Sequence, residues 1–313
     1  MIFGPAGRKP RGTAYSIMEG MRTQHTAARA KNRKTAMEPT KLDALRATAS
    51  QVRLNILEQV YHAGSGHPGG SLSAADILTY LYFEEMRVDP QDPKNEDRDR
   101  FVLSKGHAAP ALYAVLAERG YFPKEELPTL RKIDSRLQGH PDMNKTPGVD
   151  MSTGSLGIGL SNACGMALAA KLTGKEYYVY AVTGDGELEE GQIWEAAMFA
   201  SHYALNRLIV FVDANRLQID GRTTDVLSPE PIDRRFEAFG WNVQRINGHD
   251  FEQIEAAVKA AKQVTDRPCA IVCDTVKGKG VSFMEDKAGW HGVAPKQAEY
   301  EAAVAEVKAA MEG

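Results

Sequence analysis

Two oxygen-bearing side chains, Asp185 and Asn215, stand thirty positions apart, in the stretches Gly184-Asp185-Gly186 and Asp213-Ala214-Asn215-Arg216-Leu217. A carboxylate, a carboxamide oxygen and nearby backbone carbonyls suit a small, oxygen-preferring cation. Mg²⁺ takes one or two protein carboxylates and completes its shell with phosphate and water. The expected ligands are Asp185, Asn215 and the backbone of Leu217. Gly184 and Gly186 would let the chain come close to a phosphate at a helix start. Five histidines lie beside glycines: His67, His107, His140, His249 and His291. Such imidazoles can donate to phosphate oxygens or exchange protons with a hydroxyl near neutral pH. Zinc is the rival use, but no two of the five share a ligand-like local spacing.

The elements that must position these groups are legible in the apolar pattern. Tyr177 to Thr183 is β-branched and aromatic and predicts a buried strand; Leu188 to Ala204 has helical spacing; Leu208 to Val212 predicts a second strand. A β-α-β unit of this kind lays its strands side by side and parallel, so Asp185 and Asn215 fall at neighbouring carboxyl ends, where open α/β sheets bind ligands. Elsewhere, helices are expected over Lys41 to His62, from Ser71 through Met86, Ala108 to Arg119, Pro123 to Ile133, Pro231 to Phe239, Asp250 to Val264 and Lys296 to Met311. Further strands are expected at Phe101 to Leu103, Trp241 to Ile246 and Cys269 to Val276. About five strands alternating with helices predict an α/β fold, a mostly parallel sheet covered on both faces.

Two long connections, Asp134 to Gly157 and Lys277 to Pro295, carry His140 and His291 and read as functional loops. Between them a helix places Ser161, Gly165 and Ala169 at four-residue spacing, a face suited to close packing and a candidate interface between chains. Length and a hydrophobic share of 43% allow one large domain, expected over residues 39–313. Residues 1–38 carry eight Lys or Arg against Glu19 and Glu38 and read as a basic, disordered extension or an over-long start; a targeting peptide is the alternative. A net charge of −3 points to no nucleic acid or acidic membrane partner, and no apolar run suits a bilayer span. Three cysteines without framework spacing suggest a reducing, cytoplasmic compartment.

With those residues in view, Gly184-Asp185-Gly186 followed by Asn215 resembles the thiamine diphosphate motif, and its surroundings resemble transketolase. The other matching stretches are Ser65-Gly66-His67-Pro68-Gly69, Ser104-Lys105-Gly106-His107, Gly139-His140-Pro141, Thr153-Gly154-Ser155-Leu156-Gly157, Glu190-Gly191, Ile219-Asp220-Gly221 and Trp290-His291-Gly292. They run in order from residue 41 to about 300. The resemblance implies a thiamine diphosphate-binding fold with thiamine diphosphate and Mg²⁺ as cofactors. It implies that His107 and His291 line the diphosphate, that His67 and His291 approach the donor's reacting hydroxyl, and that His140 holds its terminal hydroxyl. It further implies that Gly154 and Leu156 pack beside the aminopyrimidine and that Glu190 belongs to the catalytic set. His249 matches a stretch that family members carry without a catalytic role.

Transketolases are roughly twice this length, and the pyrimidine-binding domain, its activating glutamate and the basic residues that grip a sugar phosphate have no counterpart in these residues. The expectation is therefore the amino-terminal subunit of a split transketolase, moving a two-carbon ketol unit between sugars or sugar phosphates. It would work with a carboxy-terminal, pyrimidine-binding partner, two copies of each. The alternatives are a chain resembling 1-deoxyxylulose-phosphate synthase, one resembling a 2-oxo acid dehydrogenase α chain, or a non-catalytic cofactor-binding relic.

Overall fold

The alternating strand and helix signals condense into one parallel sheet. A computed structural model describes residues 37–312, nearly all of them in the unit Thr40–Gly313. Residues 1–36 of the expected basic extension lie outside the described residues. The sheet takes the order β1-β2-β3-β7-β6, from β1 (Arg100–Leu103), β2 (Val179–Gly184), β3 (Leu208–Ala214), β6 (Asn242–Asn247) and β7 (Cys269–Asp274). All four pairings are parallel. A short antiparallel hairpin, β4 (Leu217–Gln218) with β5 (Gly221–Arg222), follows β3 and carries the expected ligand Leu217, and a single helical turn, α6 (Thr223–Val226), comes after it.

Helices cover both faces. On one, α4 (Ile158–Thr173), α5 (Gly191–His202) and α7 (Ile232–Ala238) bury Leu160, Ile193 and Phe236 against Val102, Ala181, Val210 and Val272. On the other lies α2 (Pro68–Tyr80), buried at every position, with Ser73 bonded to Asp213 of β3. Around it stand α1 (Pro39–Ala63), α3 (Ala109–Arg119) and α8 (Phe251–Ala261), and α9 (Gln297–Glu312) follows the second long loop. All seven β3 residues are buried, as a central parallel strand demands. Each fully buried Val, Leu or Ile there contributes roughly 1.5–3 kcal/mol.

Some local expectations hold: the helix expected from Asp250 does start there, as α8, with Asp250 capping it by accepting from the amides of Glu252 and Gln253. Others do not. The helix expected over Pro123 to Ile133 is a 3-10 segment, Lys124–Thr129, interrupted by Pro128. The helix expected to start at Ser71 begins instead at Pro68, so the Ser71 hydroxyl lies inside the first turns of α2 and donates to the His67 carbonyl rather than capping it. The turn after Asp185 is 3-10, Gly186–Glu189, and α5 begins only at Gly191 because Glu190 is extended. The small-residue face of α4 is open over two of its three residues: Gly165 and Ala169 are exposed and no atom lies within 4 Å of a Cβ built on Gly165, whereas Ser161 is half-buried and accepts from Gln192 at 3.2 Å. Among the described residues no helix is long and apolar enough to cross a membrane.

Candidate active site

The carboxyl ends of β2 and β3 set the first groups. Register pairs Gly184 with Asp213, and the Asp185 amide donates to the Asp213 carbonyl at 3.3 Å. Asp185, only 3% exposed, accepts from the amides of Gly186 at 2.9 Å and Arg216 at 2.5 Å. Burial first, and the neighbouring Asp213 charge second, push its carboxyl up to about 7 against these donors. The Asn215 amide nitrogen donates to Asp213 Oδ2 at 3.2 Å and Ser73 Oγ at 3.4 Å, which turns its Oδ1 toward the Leu217 amide at 3.1 Å. The Leu217 carbonyl accepts from Lys277 Nζ at 2.8 Å.

These oxygens open into one cleft of about 250 Å³, lined also by Gly184, Gly186, Leu156, Glu190, His107 and His291. One carboxylate, one carboxamide oxygen and one backbone carbonyl are a hard donor set of the kind Mg²⁺ accepts. A divalent cation would also relieve the cost that burial imposes on an ionised Asp185. No group of three or more His, Cys, Asp or Glu among the described residues could hold a metal, so a cation here would draw much of its shell from a ligand and water.

A buried charge network stands behind the cleft. Lys105 and Asp213, both within 1% of full burial, form an ion pair. The Ser73 and Thr275 hydroxyls also donate to Asp213, and Lys105 Nζ donates to the Gly70 carbonyl at 2.8 Å. Burial alone would raise the Asp213 carboxyl; Lys105 together with the Ser73 and Thr275 hydroxyls outweighs it and holds it low. Glu187, buried, accepts from the Gly184 amide at 3.0 Å, the Gly157 amide at 2.9 Å and the Ser104 hydroxyl, so one carboxylate ties three loops together. Two glycines make this approach possible. A Cβ on Gly106 would sit 2.7 Å from the Gly154 nitrogen, and one on Gly157, whose φ is +86°, would meet Glu190 Cβ at 2.8 Å.

The histidines converge from separate loops. The rings of His67, His107 and His291 form a triangle, with centroids 5.2, 5.4 and 5.2 Å apart. Burial is the main reason that His67 falls to about 4 and His291 to about 3, with the charges of Arg131 and Lys277 respectively next. Burial and then Lys105 put His107 well below the usual range. All three rings are therefore neutral at pH 7, each with one unprotonated nitrogen that can accept a hydrogen bond. Lys277 Nζ meets His291 Nδ1 at 2.8 Å, and burial followed by the Lys105 charge lowers it to about 8. His140 lies at the exposed rim beside Gly154, whose Cβ would stand 3.1 Å from its ring, and is lowered by burial and by Arg131.

The structure thus places Asp185, Asn215, Leu217, Gly184, Gly186, Leu156, Glu190, His107 and His291 around one cleft, with His67 against the last two and His140 and Gly154 together at a rim. His249 stands apart from this cleft, bonded to Asp76 and Val276. Sequence reasoning misses Lys105, Lys277, Asp213 and Glu187 as functional groups. Lys105 and Asp213 lie within recognised stretches; nothing in the local pattern distinguishes Lys277 and Glu187 from surface charges.

Residues 45–311 match the family described as transketolase, thiamine diphosphate binding domain. The chain belongs to that family. It is 48% identical over 260 residues to the 6-deoxy-6-sulfo-D-fructose transketolase subunit SqwG of a Clostridium strain, covering 83% of this chain and 94% of that protein. It is 44% identical over 271 residues to one of the apulose-4-phosphate transketolase subunits, that of Phocaeicola vulgatus, covering 87% and 96%. Human transketolase matches at 47% identity over 80% of this chain, but only 40% of its own length. Among solved structures, transketolase from Campylobacter jejuni superposes with a TM-score of 0.80 at 34% identity, covering 84% of this chain and 42% of that one. The expected kinship with transketolase and the parallel-sheet fold are both borne out.

Proposed function

We propose that this transketolase-family chain is the diphosphate-binding, amino-terminal subunit of a two-subunit transketolase. It works with thiamine diphosphate and Mg²⁺ to move a two-carbon ketol unit from a ketose, or its phosphate, to an aldose or aldose phosphate. The observation that carries the reading is the meeting of the Asp185, Asn215 and Leu217 oxygens with Lys277 and the His107–His291 pair in one cleft. Supporting the split form, relatives named as subunits are matched over nearly their whole length, whereas human transketolase is matched over 40%.

In this reading Asp185, Asn215 Oδ1 and the Leu217 carbonyl hold Mg²⁺, and Lys105, Lys277, His107 and His291 surround the anionic diphosphate. Gly154 and Leu156 pack beside the cofactor's ring. Thiamine diphosphate, when bound, supplies the electron sink for breaking and forming the carbon–carbon bond. The neutral rings of His67 and His291 approach the donor's reacting hydroxyl and hydrogen-bond to it, His140 holds its terminal hydroxyl, and Glu190 stands at the cleft as a further acid. The exposed face of α4, Gly165 and Ala169, fits a contact between copies, and two copies of each of the two chains are proposed.

The test is reconstitution. The purified chain alone should show no ketol transfer, because the activating carboxylate for the aminopyrimidine is expected on the partner. Adding the partner identified by co-purification should restore transfer and tighten cofactor binding together. Robust transfer by the chain free of any partner on mass spectrometry would overturn the proposal.

A further inference from the structure

The cleft face of Lys277 has a second, hidden support on the opposite side of its backbone. Asp76, in the middle of α2 and 5% exposed, receives both terminal nitrogens of Arg53 from α1, at 3.0 and 2.5 Å. Its Oδ2 also meets His249 Nδ1 at 2.7 Å. Burial would raise this carboxyl, but the Arg53 guanidinium and the His249 hydrogen bond hold it at about 2.

Both arms of the network end on the backbone that flanks Lys277. His249 Nε2 lies 2.9 Å from the Val276 amide, and Arg53 Nε donates to the Lys279 carbonyl at 3.1 Å. Because the Val276 amide can only donate, Nε2 carries no proton, and the ring's hydrogen sits on Nδ1 facing Asp76. Asp76 therefore fixes the tautomer that lets His249 hold Val276, while the same carboxylate orients the guanidinium that holds Lys279. Apolar packing is non-directional and would leave this segment free to slide; hydrogen bonds to two backbone groups set its position. Lys277, between them, then reaches the Leu217 carbonyl and His291 Nδ1, both at 2.8 Å.

We infer that Arg53, Asp76 and His249 are positioning residues that anchor residues 276–279 from behind and so set Lys277, and with it His291, in the cleft. None of the three lines the cleft itself. The link to cofactor affinity rests on the proposed function; the anchoring does not.

His249→Phe keeps a ring of similar size and removes both hydrogen bonds, and His249→Gln can restore one of the two. In the cofactor-free chain, hydrogen exchange at Val276 should quicken roughly tenfold in His249→Phe, the equivalent of about one hydrogen bond, with an intermediate rate in His249→Gln. Acetylation of Lys277 by an activated acetate ester at pH 8, read by peptide mass spectrometry, should rise in the same order. In the enzyme assembled with its partner, affinity for thiamine diphosphate with Mg²⁺ should fall roughly 10–100-fold, as for other groups that orient a site from behind. Wild-type exchange and acetylation rates in His249→Phe would refute the anchoring. Faster exchange with unchanged cofactor affinity would refute its bearing on the cleft. A wild-type assembly that binds no thiamine diphosphate would overturn the proposed function instead, while the exchange and acetylation rates still decide the anchoring.

Discussion

Replacing Asp185 by asparagine removes a charge from a nearly solvent-free site, and two opposite outcomes should follow. In the cation-free fold the Asp185 carboxyl moves from 3.8 up to about 7. At about 1.36 kcal/mol per tenfold change in the proton equilibrium, ionised Asp185 destabilises that fold by about 4 kcal/mol at pH 8. The sign follows from the direction of the change. A carboxyl raised on folding favours the fold below pH 3.8, and that advantage is lost as pH rises through about 7. Asparagine never ionises, but it has one acceptor oxygen for the two amides of Gly186 and Arg216, which costs about 1–3 kcal/mol.

The net expectation is a gain of about 2 kcal/mol for Asp185→Asn, or roughly 3–4 °C in melting temperature for a domain of this size. Scanning calorimetry at pH 8 with EDTA measures it, and the gap should close at about pH 5 and reverse below, where the ionisation cost no longer exceeds that of the lost acceptor. With saturating Mg²⁺ and thiamine diphosphate the order should reverse. Wild type would gain about 2.7 kcal/mol at a hundred times its Kd, and the variant little. A variant that melts at or below wild type in EDTA at pH 8 would refute the electrostatic reasoning. One that binds the cofactor with wild-type affinity would refute the metal assignment.

Lys105→Ala should leave Asp213 buried without its counter-ion and cost about 3–5 kcal/mol, read as a large fall in the urea midpoint; a loss near zero would mean that Asp213 is neutral in the fold. His107→Ala and His291→Ala should each lower turnover of the assembled enzyme roughly ten- to ten-thousand-fold, with circular dichroism unchanged, and near-normal rates in both would return these rings to a structural role. A chain begun at Met37 should melt at the same temperature and keep full activity with its partner; a marked fall in either would give residues 1–36 a function.

Some features are local enough to be read without coordinates. The Asp185 and Asn215 placement follows from one β-α-β unit, whose crossover rule leaves little freedom, and the structure seats them as that rule requires. Asp250 declares itself as a helix cap by position alone. Pro128, by contrast, is outweighed in the sequence pattern by the acidic residues before it, yet its missing amide confines that segment to a 3-10 turn. The hairpin Leu217–Arg222 leaves no mark in the pattern because two-residue strands carry no period.

Sequence by itself determined the strand–helix alternation, the two oxygen-bearing side chains at adjacent strand ends and the glycines that let loops approach backbone to backbone, because each depends on a few neighbouring residues. Tertiary structure alone decided which charges are buried. Lys105, Asp213, Glu187 and Lys277 are charged residues of types normally left in water, and only the packing of α2 and the glycine loops over the sheet shows that each has been desolvated and paired. The neutrality of His67, His107 and His291 is of the same kind. Burial first, and then the charges of Arg131 on His67, Lys105 on His107 and Lys277 on His291, lowers their proton affinity, and only the fold brings the three rings from separate loops into one buried group.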